Sequence, residues 1–246
     1  MRTGSTWLVG MLQDISQFPE RHFVITAADV CALLGTGDQR GIMKSHEIVD
    51  LDWSAMPPQV PIVRVTRNFK DSLISRVLYE RNIRPSEGRK ITSPEIRELV
   101  ERFSKESDQL FVHRFLEECS DVTAWLSEIV VIERSWDKRC LSITYESMMH
   151  NPYEVMAELT ECLWGGWADA RARVPGAVRE SLRRGFLERK SFLRNRAVGL
   201  GGWETYVTCE QSEKLEDLYF SLQTLANEGG LRWRDLAKQH RKTDLR

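Results

Sequence analysis

A β-branched run that passes directly into a capped amphipathic helix, between Pro61 and Leu78, constrains the fold more than any other stretch. Residues 62–66 predict a buried strand, because β-branched side chains suit extended backbone. Asn68 is a good helix N-cap, and Asp71 places negative charge in the first turn. Apolar residues then recur with helical spacing, at Leu73, Ile74, Val77 and Leu78. A strand that leads into a helix predicts an α/β fold, whose ligands bind at the carboxyl ends of strands, where Arg67 lies.

The opening residues have the composition of an anion-binding turn. Arg2-Thr3-Gly4-Ser5-Thr6-Trp7 puts a cation, a glycine and two hydroxyls directly before an apolar run of helical spacing. A glycine lets the backbone turn tightly, so that successive N–H groups point into one concavity, and the following helix adds its positive dipole end. The alternative is a capped amphipathic helix with Ser5 or Thr6 as N-cap and no ligand.

Length and composition predict one α/β domain over residues 1–246. The formal net charge of -1 argues against bulk attraction to nucleic acid or to a membrane surface. The five cysteines are widely spaced and include no CxxC, which predicts free thiols and no zinc site. No apolar run reaches the roughly 18–20 residues of a membrane span, and the N-terminus does not resemble a secretory signal. We therefore expect a soluble cytoplasmic protein without a membrane partner.

Two further strands are predicted to end at polar residues. Ile42-Met43 indicates a brief buried strand that delivers Lys44 and His46 to its end. Side chains two apart on a strand face the same way, so Lys44 and His46 would share one pocket. The alternative is a surface turn with a solvated lysine and histidine. Residues 139–146 alternate and are rich in β-branched residues, which predicts a strand over this range.

Helical spacing dominates much of the remaining chain. One long pattern opens at Ser93 and runs on to Phe115. A second pattern covers 122–132, with an extended end at 130–132 as an alternative. Asn151-Pro152 is predicted to begin a helix, because proline suits the first helical position. Residues 212–226 are predicted to form an amphipathic helix.

Four stretches, taken in order, resemble the motifs of the nucleotide-dependent sulfotransferases. This family moves a sulfuryl group from 3′-phosphoadenosine 5′-phosphosulfate to an acceptor hydroxyl or amine. The opening Arg2–Trp7 stretch is similar to the family's 5′-phosphosulfate loop, usually Lys-Ser-Gly-Thr-Thr-Trp, and Lys44-Ser45-His46 resembles the Lys-Thr-His segment that supplies the base. Arg67–Asp71 with Ser75 is similar to the 3′-phosphate strand and helix, at the family's own eight-residue spacing.

The fourth stretch lies late in the chain. Phe192-Leu193-Arg194, followed by Gly202-Trp203 and Thr208, resembles the family's Phe-Met-Arg-Lys-Gly, Gly-Asp-Trp and Thr motif. Tyr145-Glu146 also fits the Tyr-Glu-Asp segment that lies near the adenine. The resemblance therefore extends from the first residues to about Thr208.

The resemblance implies a three-layer αβα fold around a central, mainly parallel sheet, similar to P-loop nucleotide hydrolases. It implies His46 as the general base, with Lys44 and Arg2 stabilising charge in the transition state. The residues that it implies for donor binding are Arg2, Thr3, Gly4, Ser5, Thr6, Trp7, Arg67, Ser75, Tyr145, Arg194, Asn195 and Arg196. It implies no metal and a small-molecule or glycan acceptor, and it leaves the oligomeric state open.

The sequence departs from the family pattern at three places. Arg2 stands where many members have lysine, and arginine is a poor proton donor. Arg196 replaces the glycine of Arg-Lys-Gly, which weakens the expectation of backbone contacts to the 3′-phosphate. The family also has a central strand just before the phosphosulfate loop, so we expect the natural protein to start upstream of Met1, or its first strand to be missing.

Other functions compete with sulfuryl transfer. A P-loop nucleoside triphosphatase or kinase would need GxxxxGK[ST], and no Gly-Lys pair follows a glycine-rich loop here. Two further alternatives are an inactive nucleotide-binding relative of this family and a nucleic-acid-binding module that uses the basic segment 179–196. That segment is alternatively the solvated face of a helix.

Overall fold

The computed structural model describes residues 5–18, 20–23, 42–44, 60–83, 85, 88, 90–134, 140–165, 167–187 and 202–229. Its strands are β1 (Glu20–Phe23), β2 (Ile42–Lys44), β3 (Ile62–Thr66) and β4 (Cys140–Thr144). Its α-helices are α1 (Ser5–Ser16), α2 (Phe69–Leu78), α3 (Pro94–Phe103), α4 (Asp108–Glu118), α5 (Asp121–Arg134), α6 (Tyr145–His150), α7 (Pro152–Trp164), α8 (Ala168–Leu187) and α9 (Cys209–Gly229). A π-helical turn, Tyr79–Ile83, follows α2, and a 3₁₀ turn, Gly202–Thr205, precedes α9.

The chain divides into two compact units, each with its own core. The strand unit comprises the described residues of Thr3–Arg67 and Trp136–Arg194, and the helical unit comprises those of Asn68–Ser135 and Asn195–Arg246. The expectation of a single domain over the whole chain stays a prediction.

The strand unit is built on parallel strand pairs. β1 pairs with β2, and β3 pairs with β4 in continuous register from Ile62 opposite Cys140 to Thr66 opposite Thr144. α1 packs against β2 and α8, and α7 packs against α8. Buried members of its core include Met11, Ile15, Val65, Met148, Met156 and Val178. Parallel pairing requires crossover connections, so the sequence-based expectation of an α/β fold with mainly parallel strands is confirmed.

The helical unit surrounds α2. This helix packs against α4 and α5, while α5 also packs against α9. Asn68 caps α2 as predicted, since its side-chain oxygen accepts from the backbone N–H groups of Lys70 and Asp71. Fully buried members of the core include Ile74, Phe111, Phe115, Leu126 and Leu222. Burial of these side chains supplies the main favourable free energy of this unit.

Two helical predictions need correction. The pattern from Ser93 to Phe115 forms two helices rather than one, because Ser107 begins α4 by accepting a hydrogen bond from the Leu110 backbone N–H. The end of the next pattern, 130–132, is helical rather than extended, and Val130 and Ile132 are buried on α5. The buried residues of α5 continue to Ile132, so tertiary packing keeps this end of the run helical.

Three further expectations concern the rest of the chain. The short β-branched, apolar run His22–Thr26 predicts a buried strand, and the described residues there form the strand Glu20–Phe23. Residues 29–34, whose pattern predicts a short helix, lie outside the described residues. Cys119, Cys162 and Cys209 are free thiols. Within the described ranges, no helix combines the length and the apolar character needed to cross a lipid bilayer.

Candidate functional site

Two predicted site residues follow neighbouring strands in the strand unit. The pairing of β3 with β4 ends at Thr66 opposite Thr144, so Arg67 and Tyr145 leave the sheet at the same edge. The guanidinium carbon of Arg67 lies 4.5 Å from the centroid of the Tyr145 ring. Arg67 is only 8% exposed, so its charge is held against an aromatic face with little access to water. A desolvated cation in this position is attracted to the ring by about 2 kcal/mol.

Trp7 completes this group from the first turns of α1. Its ring centroid lies 6.4 Å from that of Tyr145, with an angle of 70° between the planes, which is an edge-to-face contact. Trp7 is 6% exposed. We call Trp7, Arg67 and Tyr145 the aromatic–arginine cluster. Its members come from three distant parts of the sequence, and all three were expected to bind the donor.

Local capping fixes the position of Tyr145. The Thr144 hydroxyl oxygen accepts a hydrogen bond of 3.0 Å from the Ser147 backbone N–H, and the Ser147 hydroxyl donates to the Thr144 carbonyl at 2.9 Å. The strand predicted over 139–146 therefore ends at Thr144, because this cap turns the chain into α6 with Tyr145 as the first residue of the helix. This arrangement presents the ring at the carboxyl end of the strand, where ligands of α/β folds bind.

The N-terminal half of the predicted site is described in part. α1 begins at Ser5, within the Arg2–Trp7 stretch that is predicted to hold the phosphosulfate. Lys44 is the last residue of β2, and β2 packs against α1. The remaining predicted residues of these two segments, Arg2–Gly4 and His46, lie outside the described residues.

The helical unit contains Ser75, the other described residue of the predicted set. Ser75 lies on α2 and is 4% exposed. Arg194, Asn195 and Arg196 lie outside the described residues. Thr208, at the end of the fourth motif, begins α9, because its hydroxyl accepts a hydrogen bond from the Gln211 backbone N–H.

Sequence reasoning assigned no role to a buried polar network at the start of α2. The Asp71 carboxylate accepts a hydrogen bond of 3.2 Å from the Trp203 backbone N–H. The Lys70 ammonium lies 4.1 Å from the centroid of the Trp203 ring and donates to Ser212 and Glu216 on α9. We call these residues the Lys70–Trp203 network. Lys70 and Asp71 stand inside the quoted Arg67–Asp71 motif, whereas no local sequence signal links them to α9.

The described part of the chain holds no group of three or more His, Cys, Asp or Glu side chains arranged to bind a metal ion. The aromatic–arginine cluster instead brings together a buried guanidinium and two aromatic rings. An arginine fork binds phosphate oxygens in pairs, and aromatic rings stack on bases. The chemistry of the cluster therefore suits a nucleotide that carries phosphate groups.

Comparison with known proteins identifies the family. Residues 1–163 match the family model described as the sulfotransferase domain, which is more than half of the chain. The chain therefore belongs to the sulfotransferase family. Its structure is similar to the crystal structure of mouse sulfotransferase SULT7A1 complexed with PAP, with a TM-score of 0.55 and 19% sequence identity. That similarity covers 98% of this chain and 85% of the mouse protein, and it shows that the two share a fold. None of the curated protein sequences matches this chain significantly.

Proposed function

We propose that the protein transfers a sulfuryl group from 3′-phosphoadenosine 5′-phosphosulfate to an acceptor hydroxyl or amine. Membership of the sulfotransferase family supports the reaction class. The aromatic–arginine cluster supports this choice of donor most directly, because it places base-stacking and phosphate-binding groups together at a sheet edge. The mouse neighbour was crystallised with PAP, which is the donor without its sulfuryl group, and this agrees with the same choice.

The cluster fits the donor in chemical type. Trp7 and Tyr145 provide aromatic surface for the adenine, and stacking of this kind is worth about 1–3 kcal/mol per base. Arg67 provides a permanently charged fork for the 3′-phosphate, with Ser75 as a further ligand implied by the family spacing. The contact with Tyr145 also restrains the arginine before the donor arrives, which lowers the entropy lost on binding.

The opening segment supplies the second anion site in this proposal. Thr3, Gly4, Ser5 and Thr6 precede or begin α1, so their N–H groups and hydroxyls hold the 5′-phosphosulfate. Arg2 and Lys44 carry fixed positive charge for the bridging and equatorial oxygens. Arg194, Asn195 and Arg196 would add contacts to the 3′-phosphate.

The reaction is an in-line displacement at sulfur. The donor supplies an electrophilic sulfur and a good leaving group. The acceptor oxygen or nitrogen forms a bond to sulfur while the bond from sulfur to the phosphate oxygen breaks, and 3′-phosphoadenosine 5′-phosphate leaves. His46 takes the acceptor's proton. General base catalysis of this kind contributes about a hundredfold to ten-thousandfold in rate.

The acceptor is proposed to be a small molecule or a glycan, and the location to be cytoplasmic. A direct test incubates the full chain with donor carrying a radiolabelled sulfuryl group and with phenols, sterols, amines and oligosaccharides in turn. We expect label to pass to at least one of these acceptor classes. Tight binding of 3′-phosphoadenosine 5′-phosphate without transfer to any class would indicate an inactive nucleotide-binding relative. Stabilisation by an oligonucleotide alone would refute the proposal.

A further inference from the structure

A cleft lies between α1 and α8 in the strand unit. Its volume is about 540 Å³, within the range of roughly 300–1,000 Å³ that is usual for small-molecule sites. We call it the α1–α8 cleft. α1 has 12 residues and rises about 1.5 Å per residue, so its ends are about 17 Å apart, and the cleft lies at the end opposite Ser5. The lining residues include Asp14, Gln17, Arg173, Gly176, Ala177 and Glu180.

Arg173 brings to the cleft a positive charge that is held in place by neutral groups. Its Nη1 donates to the Ile15 carbonyl at 3.2 Å, and its guanidinium carbon lies 5.8 Å from the centroid of the Trp167 ring. In the part of the chain that the structure describes, no Asp or Glu forms an ion pair with it. A guanidinium has five N–H groups, so several donors remain for a ligand. The contacts with Ile15 and Trp167 restrain the group in advance, which lowers the entropy lost on binding.

The other charged groups leave the net charge of the cleft close to zero. The Glu180 carboxylate accepts two hydrogen bonds of 2.7 Å from the Arg183 side chain, and this pairing neutralises its charge. Asp14 and Arg173 carry opposite charges. A strongly charged ligand of either sign would therefore meet a like charge on one side of the cleft, which costs free energy. A neutral ligand that both donates and accepts hydrogen bonds finds carboxylate acceptors and N–H donors.

Small residues on α8 leave room for such a ligand. Gly176 follows Pro175 in the middle of the helix, although both residue types disfavour helix interiors. A Cβ atom added at Gly176 would meet no atom within 4 Å beyond its own turn of helix, so the space beside it is open. Residues that oppose the local structure are expected at functional sites. A ring with C–H groups on its face and hydroxyls at its edge suits this surface, because the face can pack on Gly176 and Ala177.

We propose that the α1–α8 cleft binds a saccharide unit. The hydroxyls of the sugar donate to the carboxylates and accept from the Arg173 guanidinium, while the C–H face of the ring packs on the small residues of α8. The inference goes beyond the proposed function and does not depend on it, because none of the lining residues is assigned to the nucleotide donor.

Saturation-transfer difference NMR on the full chain tests this with the methyl glycosides of glucose, galactose, mannose and N-acetylglucosamine. At least one glycoside should bind with a Kd of about 1 mM, which corresponds to the small binding free energy of a few hydrogen bonds. Gly176→Leu places a side chain in the open space and should abolish the signal. This variant should fold at least as stably as the wild type, because leucine favours a helix more than glycine does.

A matched pair of arginine variants on α8 completes the test. Arg173→Met should raise the glycoside Kd at least about tenfold, as expected for loss of one hydrogen bond from a charged group. Arg171→Met is the control, because the Arg171 side chain is 72% exposed and lies 3.9 Å from the Glu161 carboxylate; it should keep the wild-type Kd. Absence of binding by all four glycosides in the wild type would overturn the inference, as would equal binding by Gly176→Leu and the wild type. Neither result would bear on the nucleotide donor.

Discussion

Replacing Arg67 by Met tests the part of the site that the structure defines best. Methionine retains much of the apolar stem and removes the guanidinium that lies 4.5 Å from the Tyr145 ring. The variant should therefore lose one cation–π contact and the proposed phosphate ligand. The contact itself contributes about 0.5–2 kcal/mol to folding. The hydrogen bonds to phosphate contribute about 1.5–3 kcal/mol to binding, which corresponds to a tenfold to hundredfold rise in Kd.

Thermal unfolding with and without 3′-phosphoadenosine 5′-phosphate separates these two effects. At a ligand concentration of about 100 Kd, binding stabilises the wild type by about 2.7 kcal/mol, and the same concentration stabilises Arg67→Met by about 0.4–1.4 kcal/mol. For a chain of this size 1 kcal/mol corresponds to about 2–4 °C in Tm. The ligand-induced shift should therefore fall from about 5–10 °C in the wild type to about 1–6 °C in the variant.

Arg173→Met is the matched control for this experiment. Arg173 lies in the same unit, with its guanidinium carbon 5.8 Å from the Trp167 ring centroid, and it donates to the Ile15 carbonyl near the other end of α1. This variant should lose a little stability and keep the full ligand-induced shift. An equal ligand-induced shift in Arg67→Met and the wild type would refute the assignment of Arg67 to the nucleotide.

Further predictions concern the base, a cysteine and a helix cap. His46→Ala should abolish sulfuryl transfer and leave donor binding near normal, as measured by label transfer and calorimetry; full activity would move the role of base to Glu47. Burial, followed by the charge of Glu95, raises the pKa of the Cys119 thiol to about 12. Iodoacetamide should therefore modify Cys119 far more slowly than the exposed Cys162 and Cys209 at about pH 8. Because the unfolded thiol ionises near pH 8.5, this group's contribution to stability should fall as the pH rises through about 9–12. Asn68→Ala should lower the free energy of unfolding by about 1 kcal/mol in denaturant titration, since it removes the α2 cap; an unchanged midpoint would contradict that role.

The elements that sequence reasoning predicts well are those with strong local signals. α1, β3, the Asn68 cap and the start of α7 at Pro152 agree with expectation, because each rests on periodicity or on capping chemistry within a few residues. The break between α3 and α4 was missed, since the apolar spacing continues across it and the capping role of Ser107 is visible only in three dimensions.

In the candidate site, too, residues with a local sequence signal were predicted and residues without one were missed. The order of motifs suggested Trp7, Arg67 and Tyr145, and the parallel pairing of β3 with β4 explains why the last two lie together. The contacts of Lys70 could not be predicted, because its partners Ser212 and Glu216 lie 142 and 146 residues further along the chain. Contacts at such separations depend on how helices pack, and the local sequence pattern does not predict them.

The central claim is that this chain binds a nucleotide through a phosphate on the 3′ carbon as well as one on the 5′ carbon. Calorimetric titration of the wild-type protein with 3′-phosphoadenosine 5′-phosphate and with adenosine 5′-phosphate measures this directly, because the two ligands differ by the 3′-phosphate alone. We expect the first ligand to bind at least about tenfold more tightly, because of the charge-assisted hydrogen bonds of Arg67. Equal affinity for the two nucleotides, or no binding of either, would contradict it.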